Sequence, residues 1–81
     1  MSLDFSAVGQ FPDEFKWRAV RDVLEQGIMS AEPRTRIPSE KYIGQRAGCA
    51  ERTVRKAIHD LRERGLLYTV PGLGSFVSAR E

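Results

Sequence analysis

Two short helices joined at a glycine are the feature that most constrains the fold of this chain. The pattern of residues 37–67 predicts one helix from about Glu40 to Ala47 and a second from about Glu51 to Arg64, with Gly48 in the turn. The second helix has an apolar stripe with the i, i+3, i+4, i+7 spacing of a buried face: Val54, Ala57, Ile58 and Leu61. Its ten other side chains are polar and five of them are lysine or arginine, which suits the major groove of DNA.

Another helix is predicted before this pair. A proline followed by two acidic residues is typical of a helix start, and the apolar period predicts a helix from about Asp13 to Gln26. Gly27 is the expected C-terminal stop. We expect Trp17 to pack in the core, because it lies at helical spacing with Val20 and Leu24.

Capping and turn residues indicate where the remaining elements begin and end. Ser39 is a good N-cap for the second helix, because its hydroxyl can accept a hydrogen bond from an unpaired backbone N–H. Gly65 ends the third helix. Residues 66–70 and 75–78 are typical strands joined by a turn rich in proline and glycine, and a short β contact is expected at Ile37.

These elements predict a mostly α domain with a small β-hairpin. The expected architecture is a winged helix-turn-helix of three helices and a two-stranded wing, spanning residues 12–81. Residues 1–11 show no sustained period, so we expect them to form a flexible N-terminal arm. A chain of 81 residues is long enough for one small domain.

The formal net charge of +2 is small, but the charges are distributed unevenly. Residues 1–32 hold six acidic and three basic side chains, whereas residues 33–81 hold ten basic and five acidic ones. The positive charge therefore coincides with the helix pair, as expected for a protein that binds a polyanion. A solvated surface of mixed charge would give the same pattern.

Catalysis, metal binding and membrane insertion have little support in the sequence. Cys49 and His59 are the single cysteine and histidine, too few for a structural zinc site, and no acid is evident to orient them as a nucleophilic pair. One cysteine cannot form an intramolecular disulfide. No apolar run approaches the length of about 18 residues that marks a membrane span. We therefore expect no enzyme activity, no cofactor and no membrane contact.

Three separated motifs resemble the DNA-binding domain of the GntR family of bacterial transcription regulators: IPSEKYIGQRAG, RTVRKAIHDLRERGLL and PGLGSFV, in this order. The resemblance covers residues 15–77. It implies a sequence-specific regulator with its third helix in the major groove and its wing at the minor groove. It also implies a palindromic double-stranded DNA operator, a homodimer on DNA and a location in the bacterial cytoplasm, at the nucleoid when bound. A small-molecule effector is expected only if a C-terminal domain exists.

The resemblance and the chemistry of DNA together select ten candidate DNA-binding residues: Ser39, Lys41, Arg46, Glu51, Arg52, Thr53, Arg55, Lys56, Gly72 and Gly74. By resemblance, Lys41 takes the place of a helix arginine that holds a phosphate. Thr53 and Arg55 match the threonine and arginine of the family's recognition helix. The two glycines match those of the family's wing, where backbone N–H groups can approach a phosphate closely.

Residue chemistry predicts a role for most of these side chains. Ser39 and Lys41 would hold a phosphate at the start of the second helix, where N–H groups and a cation converge. Arg52 and Arg55 could each bind guanine through its O6 and N7 atoms. Arg55 could instead form an i, i+4 ion pair with Glu51.

Other candidates have more than one expected role. Glu51 could simply favour the positive end of the helix dipole, which is the role we prefer, or accept a hydrogen bond from cytosine N4. Arg46 and Lys56 are expected at the DNA backbone. Arg80 could add a further contact, and His59 is expected to face solvent.

The sequence departs from the family pattern at five places. Ala50 stands where a serine or threonine caps the third helix, and the loss of such a cap costs about 1 kcal/mol. Glu51 replaces an arginine, Leu73 replaces the wing arginine, and Gly44 replaces a helix alanine. The connector before Pro38 is about two residues longer than usual. We therefore expect the fold to be shared while the operator differs from the family's usual one.

Two other functions are compatible with the sequence. A winged helix can bind protein instead of DNA, in which case the basic helix would be the partner surface. A plasmid or phage protein for copy control or partition would bind DNA with the same motifs. A steep fall in duplex binding with rising salt favours DNA as the partner, because phosphate contacts release counterions.

Overall fold

A computed structural model describes residues 1–79, and its regular structure comprises three α-helices, one hairpin and a short 3-10 helix. The α-helices are α1 (Asp13–Ser30), α2 (Glu40–Ala47) and α3 (Glu51–Glu63). The strands are β1 (Leu67–Val70) and β2 (Gly74–Val77), which pair antiparallel. This arrangement confirms the predicted winged helix-turn-helix, with α2 and the start of α3 at the predicted residues.

The core forms where α3 packs against α1, α2 and β1. Each stripe residue predicted for α3 is buried, because the four side chains share the face that meets the other elements. The buried apolar side chains are Phe5, Val8, Val20, Leu24, Ile28, Ile37, Ile43, Ala47, Val54, Ala57, Ile58, Leu61, Leu67 and Val77. Burial of each larger side chain contributes about 1.5–3 kcal/mol relative to its exposure.

Helix α1 is one turn longer than predicted, so the expected stop at Gly27 is wrong. The helix continues to Ser30, and Gly27 and Ile28 are both buried inside it. A Cβ on Gly27 would lie 2.5 Å from Leu3 Cδ2, so the missing side chain lets the N-terminal segment approach the helix. The lower helix propensity of glycine, about 1 kcal/mol relative to alanine, is offset by this packing.

The N-terminal segment differs from the loose arm that the sequence predicts. It contains the 3-10 helix Val8–Gln10, and Phe5 and Val8 are both buried in the core. The backbone N–H of Val8 donates to the carbonyl of Phe5 over 3.1 Å, which brings these two apolar side chains to one side of a short turn. Phe5 and Val8 are only three residues apart, so two apolar side chains in a single turn do not produce a repeating pattern in the sequence. The boundary between residues 11 and 12 stays a prediction.

Helix α2 and its turn follow from local chemistry. The Ser39 hydroxyl accepts a hydrogen bond from the Tyr42 backbone N–H at 3.2 Å, which confirms the predicted N-cap. Gly48 has φ = 70°, a left-handed conformation that glycine adopts without steric cost. A Cβ on Gly44 would lie 2.9 Å from the Cys49 carbonyl oxygen, so the absent side chain makes room for the turn that leads into α3.

The two ends of α3 differ in how they are capped. Ala50 occupies the N-cap position, and among residues 1–79 no side chain caps the helix there. Arg64 is the C-cap, one residue past the end of the helix, and Gly65 follows with φ = 77°. The predicted glycine stop is therefore confirmed, while the uncapped start leaves backbone N–H groups at the beginning of α3 without a side-chain acceptor.

The wing is a hairpin with a third segment alongside it. Leu67 lies opposite Val77 and Val70 lies opposite Gly74. The first strand begins one residue later than predicted, and the second begins and ends one residue earlier. An isolated antiparallel bridge joins Arg36 to Phe76, and the Ile37 N–H donates to the Ser75 carbonyl at 3.0 Å. The short β contact expected at Ile37 is thus present and places the connector beside β2.

Candidate nucleic-acid interface

An open groove of about 970 Å³ separates the start of α1 from the helix-turn-helix. Residues 13, 14, 16 and 17 of α1 form one wall, and α2, its turn and the first turns of α3 form the other. Half of the ten predicted DNA-binding residues line it: Lys41, Glu51, Arg52, Thr53 and Lys56. The fold therefore gathers side chains from two helices onto one concave surface.

Lys41 and Arg52 present free positive charge to this groove. Both side chains are exposed, and within residues 1–79 neither forms an ion pair with a carboxylate. Glu51 is also exposed on the groove wall, at the first turn of α3. Thr53 is half-buried, and its backbone N–H donates to the Ala50 carbonyl at 3.0 Å.

Arg55 is held by a residue that the sequence pattern does not suggest. Its Nη2 and Nε atoms donate to Glu40 Oε1 over 2.9 and 3.2 Å, across 15 residues of sequence. The pairing with Glu51 considered from spacing is therefore wrong, because Glu40 at the start of α2 lies closer. This hydrogen bond raises the pKa of Arg55, and the charge of Glu51 contributes less. The Arg55 side chain remains 63% exposed.

Trp17 lines the groove and does not lie in the core, so that prediction is wrong. The ring is half-buried, whereas Val20 and Leu24 on the same helix are fully buried. Lys56 Nζ lies 4.8 Å from the ring centroid, and the guanidinium of Arg21 lies 5.2 Å from it. Trp17 is near the start of α1, where cationic side chains, and not core residues, cover its ring. The quadrupole of the aromatic ring favours this contact with cations.

The remaining candidates lie away from the groove. The Arg46 guanidinium is 5.5 Å from the centroid of the Tyr42 ring, on α2. The Ser39 hydroxyl is engaged in the helix cap described above. Gly72 and Gly74 lie in the wing with φ values of 80° and 122°, where other residues would be strained.

Arg62 connects α3 to the wing, a contact that sequence spacing did not suggest. Its Nη1 donates to Thr69 Oγ1 at 3.1 Å, and Thr69 Oγ1 lies 2.9 Å from Ser75 Oγ on the paired strand. His59 Nδ1 is 3.3 Å from Arg62 Nη2, and the histidine is exposed as expected. These contacts join the exposed side of α3 to both strands of the hairpin.

The model of the family described as "Bacterial regulatory proteins, gntR family" matches residues 16–77. This chain belongs to the GntR family. The match runs from the first turn of α1 to the end of β2, so it covers the helix-turn-helix, the wing and the groove apart from residues 13 and 14.

Curated relatives of this GntR domain are named as repressors. The histidine utilization repressor of Klebsiella aerogenes is 32% identical over 73 residues, which are 90% of this chain and 29% of the relative. The HTH-type transcriptional repressor NagR of Bacillus subtilis (strain 168) is 40% identical over 61 residues, 73% of this chain and 25% of the relative. The chain thus spans less than a third of the length of either relative.

Solved structures of GntR-type domains superpose on this one. The DNA-binding domain of AraR in complex with operator ORE1 matches with a TM-score of 0.75 and 36% identity, over 84% of this chain and 82% of that one. The N-terminal domain of AraR in complex with mutant ORR3 gives the same TM-score and identity, over 84% and 96% of the two chains. A GntR family regulator from Listeria monocytogenes shares the fold at 19% identity and a TM-score of 0.72, over 76% and 56% of the two chains.

Nucleophilic catalysis, metal binding and membrane insertion have little support in the described part of this GntR domain. Burial raises the pKa of the half-buried Cys49 thiol, which disfavours a nucleophilic thiolate. Within the described part of the chain, no three His, Cys, Asp or Glu side chains are grouped so as to hold a metal ion. Across residues 1–79, no helix is both long and apolar enough to cross a bilayer. The possible contact at Arg80 lies outside the described residues.

Proposed function

We propose that this chain is the DNA-binding part of a bacterial transcription regulator and that it recognises double-stranded DNA through α3 and the adjoining groove. The observation that carries the proposal is the gathering of Lys41, Arg52, Thr53 and Lys56 on one exposed groove. The likeness to AraR domains in complex with operators, at 36% identity, supports duplex DNA as the ligand.

Recognition of bases is assigned to the first two turns of α3. Arg52 has no carboxylate partner within residues 1–79, so its guanidinium can bind guanine without first breaking an ion pair. Arg55 lies one turn further along and is oriented by Glu40, which limits the rotamers available to it. Thr53 lies between them on the groove side and can contact a base edge or a phosphate.

Binding of the phosphate backbone is assigned to α2 and the groove walls. Lys41 follows the capped start of α2, where the helix dipole also favours an anion. Ser39 contributes mainly through its cap, because its hydroxyl already accepts from Tyr42. Lys56 and Arg46 would add backbone contacts from either side. Gly72 and Gly74 let the wing backbone approach the duplex.

Glu51 lies in the first turn of α3, where its carboxylate interacts favourably with the positive end of the helix dipole. We assign it this role in preference to a hydrogen bond from cytosine N4. Because Ala50 supplies no side-chain cap, the charge of Glu51 partly offsets the unsatisfied N–H groups at this helix start.

The operator is proposed to be a palindrome bound by a homodimer in the cytoplasm. One domain of this size contacts few phosphates, and two linked copies on one duplex raise affinity by multivalency. Half-sites about one helical turn apart would place both α3 helices on the same face of DNA. The chain spans 29% and 25% of its two curated relatives. A small-molecule effector is proposed only if a C-terminal domain exists.

Selection of bound sites from a random duplex pool tests the proposal. The expected result is an enriched palindromic motif and binding that falls steeply with salt. Arg55→Ala should relax preference at one base position, while Lys41→Ala should weaken binding to all sequences alike. Absence of binding to any duplex at low salt would refute the proposal and favour a protein-binding winged helix. A repressor and a plasmid or phage copy-control protein would both enrich a motif from this pool, and the neighbouring genes distinguish the two.

A further inference from the structure

We infer that Arg36, in the connector between α1 and α2, supplies the positive charge that the wing itself lacks and contacts DNA beside the wing tip. This role rests on the proposed DNA binding, and it adds a residue that neither the motifs nor the groove includes. The position depends on tertiary packing, because Arg36 and the wing tip are separated by more than thirty residues of sequence.

The hairpin carries no charged side chain from residue 67 to residue 77. Its tip is Leu73, which is 60% exposed and apolar. A segment that lies against duplex DNA gains affinity chiefly by neutralising phosphates with lysine or arginine. A charged side chain can therefore neutralise a phosphate at the wing only if another segment brings it there.

The backbone of the connector is fixed beside β2. Arg36 and Phe76 form an antiparallel bridge, and the Val77 N–H donates to the Thr35 carbonyl at 2.9 Å. The Ile37 N–H donates to the Ser75 carbonyl on the other side of the bridge. The bridge and the hydrogen bonds on either side of it hold the backbone at Arg36 beside β2.

The guanidinium of Arg36 extends over Gly74, the residue next to the wing tip. A Cβ built on Gly74 would lie 3.0 Å from Arg36 Nε and 3.5 Å from Nη2. The distance to Nε is shorter than most contacts and the distance to Nη2 is an ordinary one, so the arginine lies against the space that a side chain at position 74 would fill. The glycine thus provides both the turn and the place for the cation.

The charge of Arg36 is available to a ligand. The residue is exposed, and no carboxylate in residues 1–79 lies within 4 Å of it. Arg62, which reaches the same hairpin from α3, instead donates to Thr69 and lies beside His59. Three residues after Arg36, Ser39 caps α2, so the same short segment joins the wing to the start of α2.

The test compares Arg36→Ala with Arg34→Ala, which removes the same charge from an exposed connector residue whose backbone pairs with Val77, far from the tip. Binding of a fluorescent duplex carrying the selected motif is measured by anisotropy at several salt concentrations. Thermal unfolding of each variant verifies that it is folded.

Arg36→Ala should bind more weakly and should lower the slope of log K against log salt by about one unit, the value for a single phosphate contact. Between about 50 and about 200 mM salt, the advantage of the wild type over Arg36→Ala should therefore shrink about 3.5-fold. Arg34→Ala should keep the wild-type slope. The double variant Arg36→Ala/Leu73→Arg should regain affinity and slope, because a new arginine at the exposed tip returns the cation.

The outcomes separate this inference from the proposed function. If Arg36→Ala matches the wild type or Arg34→Ala in affinity and slope, Arg36 has no such role. A loss that Leu73→Arg does not restore also overturns the inference, because the defect would then lie in the shape of the wing. If the wild type itself binds no duplex at low salt, the proposed DNA binding fails, and the DNA contact of Arg36 fails with it.

Discussion

Arg55 on α3 donates two hydrogen bonds to a single oxygen of Glu40, the first residue of α2, with N–O distances of 2.9 and 3.2 Å. The pair links the start of α2 to the second turn of α3 at the surface, since the side chain of Glu40 is 33% exposed and that of Arg55 is 63% exposed. An exposed pair of this kind contributes little to stability. Its main effect is to restrict the directions in which the guanidinium can point.

Glu40→Gln should therefore change selectivity more than stability. Removing the carboxylate lowers the repulsion of phosphates, so affinity for an arbitrary duplex at low salt should rise. The ratio of affinities for the selected motif and a scrambled duplex should fall, because Arg55 loses its orienting charge. Anisotropy titrations with both duplexes measure the ratio. Glu63→Gln, which removes an exposed carboxylate at the far end of α3, serves as the control. An unchanged ratio in Glu40→Gln would contradict the orienting role.

Ala50→Ser should stabilise the domain by about 1 kcal/mol. The backbone at Ala50 (φ = −69°, ψ = 152°) closely matches that at Ser39 (φ = −66°, ψ = 158°), where a serine does cap its helix. Position 50 is exposed, so a hydroxyl fits there. Urea unfolding gives the difference in free energy, and Ser39→Ala should show a loss of similar size. If Ala50→Ser has the wild-type unfolding midpoint, the start of α3 is satisfied in another way.

Glu25→Gln should destabilise the domain at neutral pH but not at acid pH. Arg64 binds both carboxylate oxygens of Glu25, with N–O distances of 2.8 and 3.0 Å, and this pair joins α1 to the end of α3. The hydrogen bonds from Arg64 lower the pKa of Glu25 in the folded state. The stability from the pair is therefore present above the ordinary pKa of glutamate and is lost as the pH falls through the lowered value.

Urea unfolding of wild type and Glu25→Gln across this pH range measures that effect. The difference in unfolding free energy should vanish below the lowered pKa of Glu25, where the wild-type carboxyl is itself neutral. Glu32→Gln is the matched control, because Glu32 forms no ion pair among the described residues. A difference that persists unchanged into acid would show that Glu25 acts through packing and not through its charge.

Trp17 should report on DNA binding through its fluorescence. It is the one tryptophan of the chain, and its half-buried ring lies in the groove 4.8 Å from Lys56 Nζ. DNA bound along α3 would draw Lys56 toward a phosphate and alter the polarity around the ring. We expect the emission intensity to change upon saturation with the selected duplex and to return when salt dissociates the complex. Emission that stays constant while anisotropy shows binding would place the DNA away from this groove.

Local patterns in the sequence determined the elements that depend on neighbours along the chain. The bounds of α2, the Ser39 cap, the buried stripe of α3 and the glycine after α3 all match the prediction. Each of these depends on groups within about four residues, where hydrogen bonds and side-chain spacing are set by helix geometry. The three motifs that resemble the GntR family extended the prediction from these single elements to the whole winged helix.

Tertiary structure alone decided which distant groups meet. Four features depend on how one element packs against another: the Glu40–Arg55 pair, the partial exposure of Trp17, the continuation of α1 past Gly27 and the position of Arg36 beside Gly74. Apolar periodicity identifies the face of a helix that is buried but does not specify the side chains that cover its margin or its ends. Residue types and spacing therefore predicted a basic surface, whereas the partners and directions of its charges follow from packing between segments far apart in sequence.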